Sequence, residues 1–214
     1  MSHPKEVHFF DRHRFGTGEP YERSYHKAGW GETAPTLDET VLYGESTPKY
    51  VLLDWLGRSL YLQFIRDYNP QIKLIVLFRN PVDRAYSQWN MMRRKRGEIR
   101  TFERTIQREL LRRPSSGPQI LLRGHYGTIV ENILALFPRE NCLFLRVENL
   151  NMQLPVVEQF LGLPAYTYTS RYCSRHPYPA PMAAATQHEL LAYYDEEMAK
   201  LAQLTSIDTS DWRI

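Results

Sequence analysis

Lys73-Leu-Ile-Val-Leu-Phe-Arg79-Asn-Pro-Val-Asp-Arg-Ala-Tyr-Ser87-Gln-Trp89 decides the fold. Lys73–Phe78 is a near-continuous aliphatic and β-branched run, the pattern of a strand buried on both faces. Asn80 and Pro81 then pair a helix N-cap with the residue best suited to the first helical position. The strand ends at Arg79, and ligands in open α/β sheets collect where strands end and helices begin. A helix N-terminus there is expected to present free N–H groups and a positive dipole to an anion, and Arg79 adds a forked guanidinium. Along the helix, Val82, Ala85, Tyr86 and Trp89 form the buried face and leave Asp83 and Ser87 together on another. A plainer alternative stands beside this: Arg79 pairs with Asp83, and Ser87 is a helix surface residue.

Strand and helix signals alternate outward from this stretch, which predicts a parallel sheet covered by helices. Further strands are expected at Val7–Phe10, Thr40–Tyr43 and Cys142–Val147. Helices are expected from Thr47 towards Tyr68, from Thr101, over Tyr126–Phe137, over Pro155–Leu161, and from a Thr186/Glu189 capping box through Leu201. No internal repeat or interdomain linker interrupts the 214 residues, and 43% hydrophobic content supplies a sizeable core. The chain thus reads as one domain over residues 1–214. No apolar run is long enough to cross a bilayer, and the N-terminus carries no signal-like stretch. Two cysteines make no disulfide framework, so a reducing, cytoplasmic setting without a membrane partner is expected.

The net charge of +3 is too small to imply a nucleic-acid partner, but its distribution is uneven. Residues 93–113 hold nine Arg or Lys against three Glu. That excess suits an anionic ligand or, equally, a solvated helix face. Neither a Gly-x-Ser-x-Gly elbow nor a Gly-x-x-x-x-Gly-Lys-Ser/Thr loop occurs, and no metal-ligand spacing is evident among seven His and two Cys.

Arg79-Asn-Pro-Val-Asp-Arg-Ala-Tyr-Ser87 resembles the 3′-phosphate motif of sulfotransferases that use 3′-phosphoadenosine 5′-phosphosulfate (PAPS), above all the heparan-sulfate-type group and its small bacterial relatives. Lys5-Glu-Val-His-Phe-Phe-Asp11 resembles that group's acceptor-side motif, and Gly44-Glu-Ser-Thr-Pro-Lys-Tyr50 its Glu-Lys-Thr-Pro-x-Tyr segment. Gly124–Phe137, Phe144–Leu150 and Val157–Leu163 follow its later elements in order. The resemblance implies an α/β fold like that of P-loop nucleotide hydrolases, a PAPS donor leaving as PAP, and a carbohydrate or small-molecule acceptor. It implies Arg79 and Ser87 on the 3′-phosphate and Glu6 as general base, with His8, two residues along a strand, as alternative base or partner. Arg175 and His176 stand where the family has a loop over the nucleotide.

Three departures accompany these matches. The family's first strand and its Lys-x-Gly-Thr-Thr/Ser loop are not represented, so the domain is expected to be N-terminally incomplete. That leaves two strand edges open to association between copies. Ser46 replaces a lysine, and the family's Lys-Gly-Arg loop is reduced to Arg175 and His176. A catalytically inactive module that binds PAP or a polyanion is the alternative reading.

Overall fold

The computed structural model describes residues 10, 42, 44–54, 56–97, 100–111, 119–168, 178 and 180–213. The chain forms two compact units, residues 1–72 and 73–214.

In the first unit, Pro48–Val51 makes a single 3-10 turn. That turn carries Tyr50 back over Glu45: the Tyr50 hydroxyl donates to Glu45 Oε1 at 2.8 Å and Thr47 Oγ1 to Oε2 at 3.1 Å. Burial, then the adjoining carboxylate, pushes the Tyr50 phenol well above its ordinary range. The helix expected from Thr47 to Tyr68 is broken. Asp54 accepts from the Leu56 and Arg58 amides at 2.8 and 2.9 Å, and Gly57 adopts φ 74°. This side-chain-closed loop competes with helix continuation. Helix α1 (Leu60–Tyr68) restarts where Ser59 Oγ accepts from Leu62 N. Phe10, expected in a strand, has helical backbone and packs edge-on against Tyr50 and Tyr68. Leu42 lies outside any strand. The rest of the Val7–Phe10 and Thr40–Tyr43 segments falls outside the described residues.

The second unit carries β1 (Leu74–Phe78) and β2 (Cys142–Arg146), paired in parallel from Leu74↔Cys142 to Phe78↔Arg146. Its helices are α2 (Pro81–Arg96), α3 (Phe102–Leu111), α4 (Tyr126–Leu136), α5 (Leu150–Leu161) and α6 (Ala184–Thr205). Each strand pairs along one edge, and among the described residues the outer edge of each has no strand partner. Nor is β1 buried on both faces. Phe78 is 1% exposed, while Ile75 and Leu77, alternating with it, are 37% and 46% exposed. An apolar run reports the side chains' preference and leaves open which face finds cover.

The core lies where α4 meets α6. Ile129, Val130 and Ile133 are buried on α4, as are Leu190, Tyr194, Met198 and Leu201 on α6. Two glycines permit that approach. A Cβ at Gly124 would stand 2.5–2.8 Å from Tyr194 ring atoms, and one at Gly127 2.6 Å from Lys200 Cβ. The Tyr194 ring is fully buried and its hydroxyl donates to Leu121 O at 3.0 Å, so it has nowhere to retreat. Gly124→Ala is therefore expected to cost about 2 kcal/mol of stability, measured by urea unfolding.

Two helix starts differ from expectation. Helix α5 begins at Leu150, five residues before Pro155. Its first turn is wound by 3-10 bonds from Leu150 N to Val147 O and Met152 N to Asn149 O, so Pro155 removes one later bond without ending the helix. Helix α6 begins at Ala184 behind an extended Ala183, with Thr186 buried inside it. The capping box does not form. Glu189 instead accepts from Gln107 Nε2 at 3.0 and 3.1 Å, which turns its carboxylate away from the helix start.

Candidate functional site

The carboxyl end of β1 is tied down from three sides. Val147 N donates to Phe78 O at 2.8 Å, Asn80 N to Glu148 Oε1 at 3.0 Å, and Asn80 Nδ2 to Trp212 O at 3.2 Å. Arg146, at the end of β2, is 8% exposed and donates to Asp208 O at 2.9 Å and Asp211 Oδ2 at 2.6 Å. The Asp211 hydrogen bond, outweighing burial, raises its already high pKa and keeps it charged. Tyr126 packs 4.8 Å from Phe78 beneath this corner. Burial raises its phenol pKa, and the Arg79 amide faces its hydroxyl. Arg79 is thus placed by a rigid strand end. No local signal in the sequence pointed to Glu148 or Arg146; they enter through chain neighbours 62–68 residues away.

Asn80 caps α2 as expected. Its Oδ1 accepts from Val82 N at 2.9 Å and Asp83 N at 3.4 Å. This corrects one expectation: with Pro81 lacking an N–H and Arg84 N bonded to Asn80 O at 2.9 Å, the helix start has no spare amide donors for an anion. What remains is the helix dipole and the Arg79 guanidinium.

Arg79 Nη2 lies 3.7 Å from Asp83 Oδ2, with side chains 38% and 58% exposed. The plain pairing foreseen for these residues therefore forms. It is a long, solvated contact of the kind that contributes about 0–1 kcal/mol, weak enough for a phosphate to displace. Val82, Ala85, Tyr86 and Trp89 are buried as predicted. Ser87 is half-buried, one turn beyond Asp83 on the same flank, and its hydroxyl has no hydrogen-bond partner among the described residues. Arg79, Asp83 and Ser87 thus run along one side of α2. Next to Ser87, the Tyr86 hydroxyl donates to Ala180 O, and the Tyr86 ring lies 5.0 Å from that of Tyr178. Glu6, His8, Arg175 and His176 lie outside the described residues.

A sulfotransferase domain model matches residues 60–178, more than half of the chain. The chain belongs to the sulfotransferase domain family. It is 30% identical over 164 residues to mouse heparan sulfate glucosamine 3-O-sulfotransferase 6, covering 74% of this chain and 43% of that protein. To mouse heparan sulfate glucosamine 3-O-sulfotransferase 3A1 it is 33% identical over 168 residues, covering 74% and 38%. The chain therefore spans less than half the length of these curated relatives. A crystal structure of a sulfotransferase from Alicyclobacillus acidocaldarius superposes with a TM-score of 0.73 at 24% identity, covering 100% of this chain and 87% of that one. The fold is that of a sulfotransferase. Among the described residues, no helix is long and apolar enough to cross a membrane.

Proposed function

We propose that this chain binds the PAPS nucleotide through Arg79 and Ser87 and directs its sulfuryl group to a hydroxyl or amine on a carbohydrate or small-molecule acceptor. PAPS supplies the sulfuryl group and leaves as PAP once the bond to the 5′-phosphate breaks. The observation carrying this reading is the shared flank of α2: a guanidinium projecting from an anchored strand end, and two turns in a hydroxyl without a hydrogen-bond partner among the described residues. Arg79 neutralises the 3′-phosphate with paired donors while Ser87 contributes a third, which fixes the nucleotide's register. Glu6 takes the proton from the attacking acceptor, with His8 orienting it or standing in as base. Arg175 and His176 contribute on the nucleotide side, a role that rests on the family resemblance. Residues 1–214 act here as one sulfotransferase domain, and its setting is cytoplasmic.

The chain holds no Gly-Thr-Thr or Gly-Thr-Ser segment. That observation favours a second reading, in which PAP binds without turnover. One experiment separates the outcomes: thermal unfolding with and without PAP, for wild type and Arg79→Ala. At about a hundred times its dissociation constant, PAP adds about 2.7 kcal/mol. The shift is expected to vanish in a cooperatively folded Arg79→Ala variant, and its retention there would overturn the assignment. Transfer assays on PAPS then separate enzyme from binding module.

A further inference from the structure

We propose that the outer edge of β1 pairs with β1 of a second copy of this chain, antiparallel and across a two-fold axis, so that two sheets join into one of four strands. This inference is independent of the nucleotide reading.

The pairing of β1 with β2 decides which backbone groups stay open. Val147 N donates to Phe78 O, and in a parallel ladder the bonded residues alternate along each strand. Leu74, Val76 and Phe78 therefore face β2, while the N–H and C=O groups of Ile75 and Leu77 point outward. Among the described residues nothing bonds to them.

The two outer edges of the sheet are not alike. By the same alternation Cys142 faces outward on β2, and there Arg139 Nη1 donates to Cys142 O at 2.7 Å while its guanidinium lies 5.2 Å over the Phe144 ring. A charged side chain laid along a strand guards it against edge pairing. Nothing comparable lies on β1 among the described residues. Its five residues are all apolar and include no Pro. Lys73, beside the strand, is turned to Phe160, whose carbonyl accepts from its Nζ. The side chains repeat the contrast. Leu77 stands beside Leu145 in the register, yet Leu145 is 3% exposed and Leu77 46%. Cover over β2 stops short of β1.

Such an edge suits its own copy. With Val76 on the axis, Ile75 lies opposite Leu77 of the second copy, and each such pair exchanges two N–H···O bonds. The Ile75 and Leu77 side chains of both copies then meet on one face as cross-strand neighbours. The interface is isologous, so it closes at two copies and does not grow into a fibre. Five paired residues make a contact below the roughly 1,200 Å² of a standard interface, so the dimer is weak, forming at concentrations on the order of tens of micromolar. A foreign strand finds no charge or polar side chain along β1 by which to be selected. Lys73 and Arg79 fall opposite each other just beyond the paired stretch.

Sedimentation velocity of the full chain from about 1 to 100 µM tests this. Wild type is expected to move from one chain towards two over that range, with no larger species. Salt is expected to hold or strengthen the dimer, because only like charges meet at its ends. Leu77→Lys sets a charge against the apolar edge and is expected to weaken association about tenfold or more. Its urea midpoint stays near that of wild type, since Leu77 is half-exposed. Under mild oxidation Val76→Cys is expected to cross-link to itself, with Cα atoms about 4.5 Å apart across the axis. Leu74→Cys, displaced by four residues or about 13 Å, is not. A wild type that stays one chain at the highest concentration would overturn the proposal. So would a dimer that dissociates in salt or ignores Leu77→Lys in a folded variant, or equal cross-linking at residues 74 and 76.

Discussion

Replacing Trp212 by alanine is expected to cost about 3–5 kcal/mol of folding free energy, a large share of the roughly 5–15 kcal/mol that a domain commonly holds. Trp212 lies in a short 3-10 turn, Ser210–Arg213, near the end of the sequence, where an unanchored chain would fray. It is nevertheless 2% exposed. The Arg146 guanidinium stacks 5.1 Å above its ring and the Tyr126 ring meets it edge-on at 6.4 Å. Its carbonyl receives the Asn80 carboxamide, whose other end caps α2. The ring therefore packs beneath both strand ends, while the main-chain carbonyl of the same residue steadies the residue next to Arg79. Its indole N–H is buried without a hydrogen-bond partner among the described residues. Trp212→Phe removes that orphan donor and keeps most of the apolar contact, so it is expected to cost far less than alanine. Urea unfolding of the two variants checks the pair. A loss under about 1 kcal/mol for alanine would show that this turn is not part of the cooperative core.

What could be read from the sequence divides along the range of the interactions involved. The strand Leu74–Phe78, the Asn80 cap, the buried stripe of α2 and the helices from Phe102 and Tyr126 rest on neighbours within a few residues, and all were legible. The helix over residues 47–68 was not, because Asp54 satisfies two backbone amides by a side-chain route that hydrophobic periodicity does not register. The capping box at Thr186 failed for a tertiary reason: Glu189 had a better partner in Gln107, 82 residues earlier. The exposed Ile75/Leu77 face belongs to the same class, since coverage is decided by other elements. At the candidate site, the position of Arg79 at the strand end and of Ser87 on the flank of α2 was legible through spacing; their role toward a nucleotide is proposed and rests on the family resemblance. The residues that hold Arg79's corner in place, Glu148, Arg146 and Trp212, left no trace near residue 79. The supply of free amides at the start of α2 was misjudged because one Asn side chain fills both sites.

A second large effect is expected where α4 begins, at a cluster no motif announced. Glu197 of α6 accepts from Thr128 N at 2.9 Å and Thr128 Oγ1 at 2.7 Å, so it caps α4 from across the helix pair. Glu197→Ala leaves a half-buried amide and hydroxyl without their acceptor and is expected to cost about 1–3 kcal/mol at neutral pH. The same carboxylate faces His125, whose Nδ1 is 3.9 Å from Glu197 Oε1 and whose Nε2 is 2.8 Å from the Tyr193 hydroxyl. Burial lowers the His125 pKa; the attraction of Glu197 opposes this, and Arg84 and Lys200 reinforce it, with a net shift downward. The unfolded chain takes up that proton near pH 6.5 and the folded one only at lower pH. Below about pH 6.5 the unfolded state therefore binds more protons. Stability falls with pH from there until the folded histidine itself titrates, by at most about 1.4 kcal/mol per pH unit for one group. Glu197→Gln removes the opposing attraction, so its acid-sensitive window is expected to reach further down. Urea midpoints at pH 7.5 and 5.5 for wild type, Glu197→Gln and His125→Gln read this directly. His125→Gln is expected to flatten the difference, and a wild type that gains stability on acidification would refute the assignment.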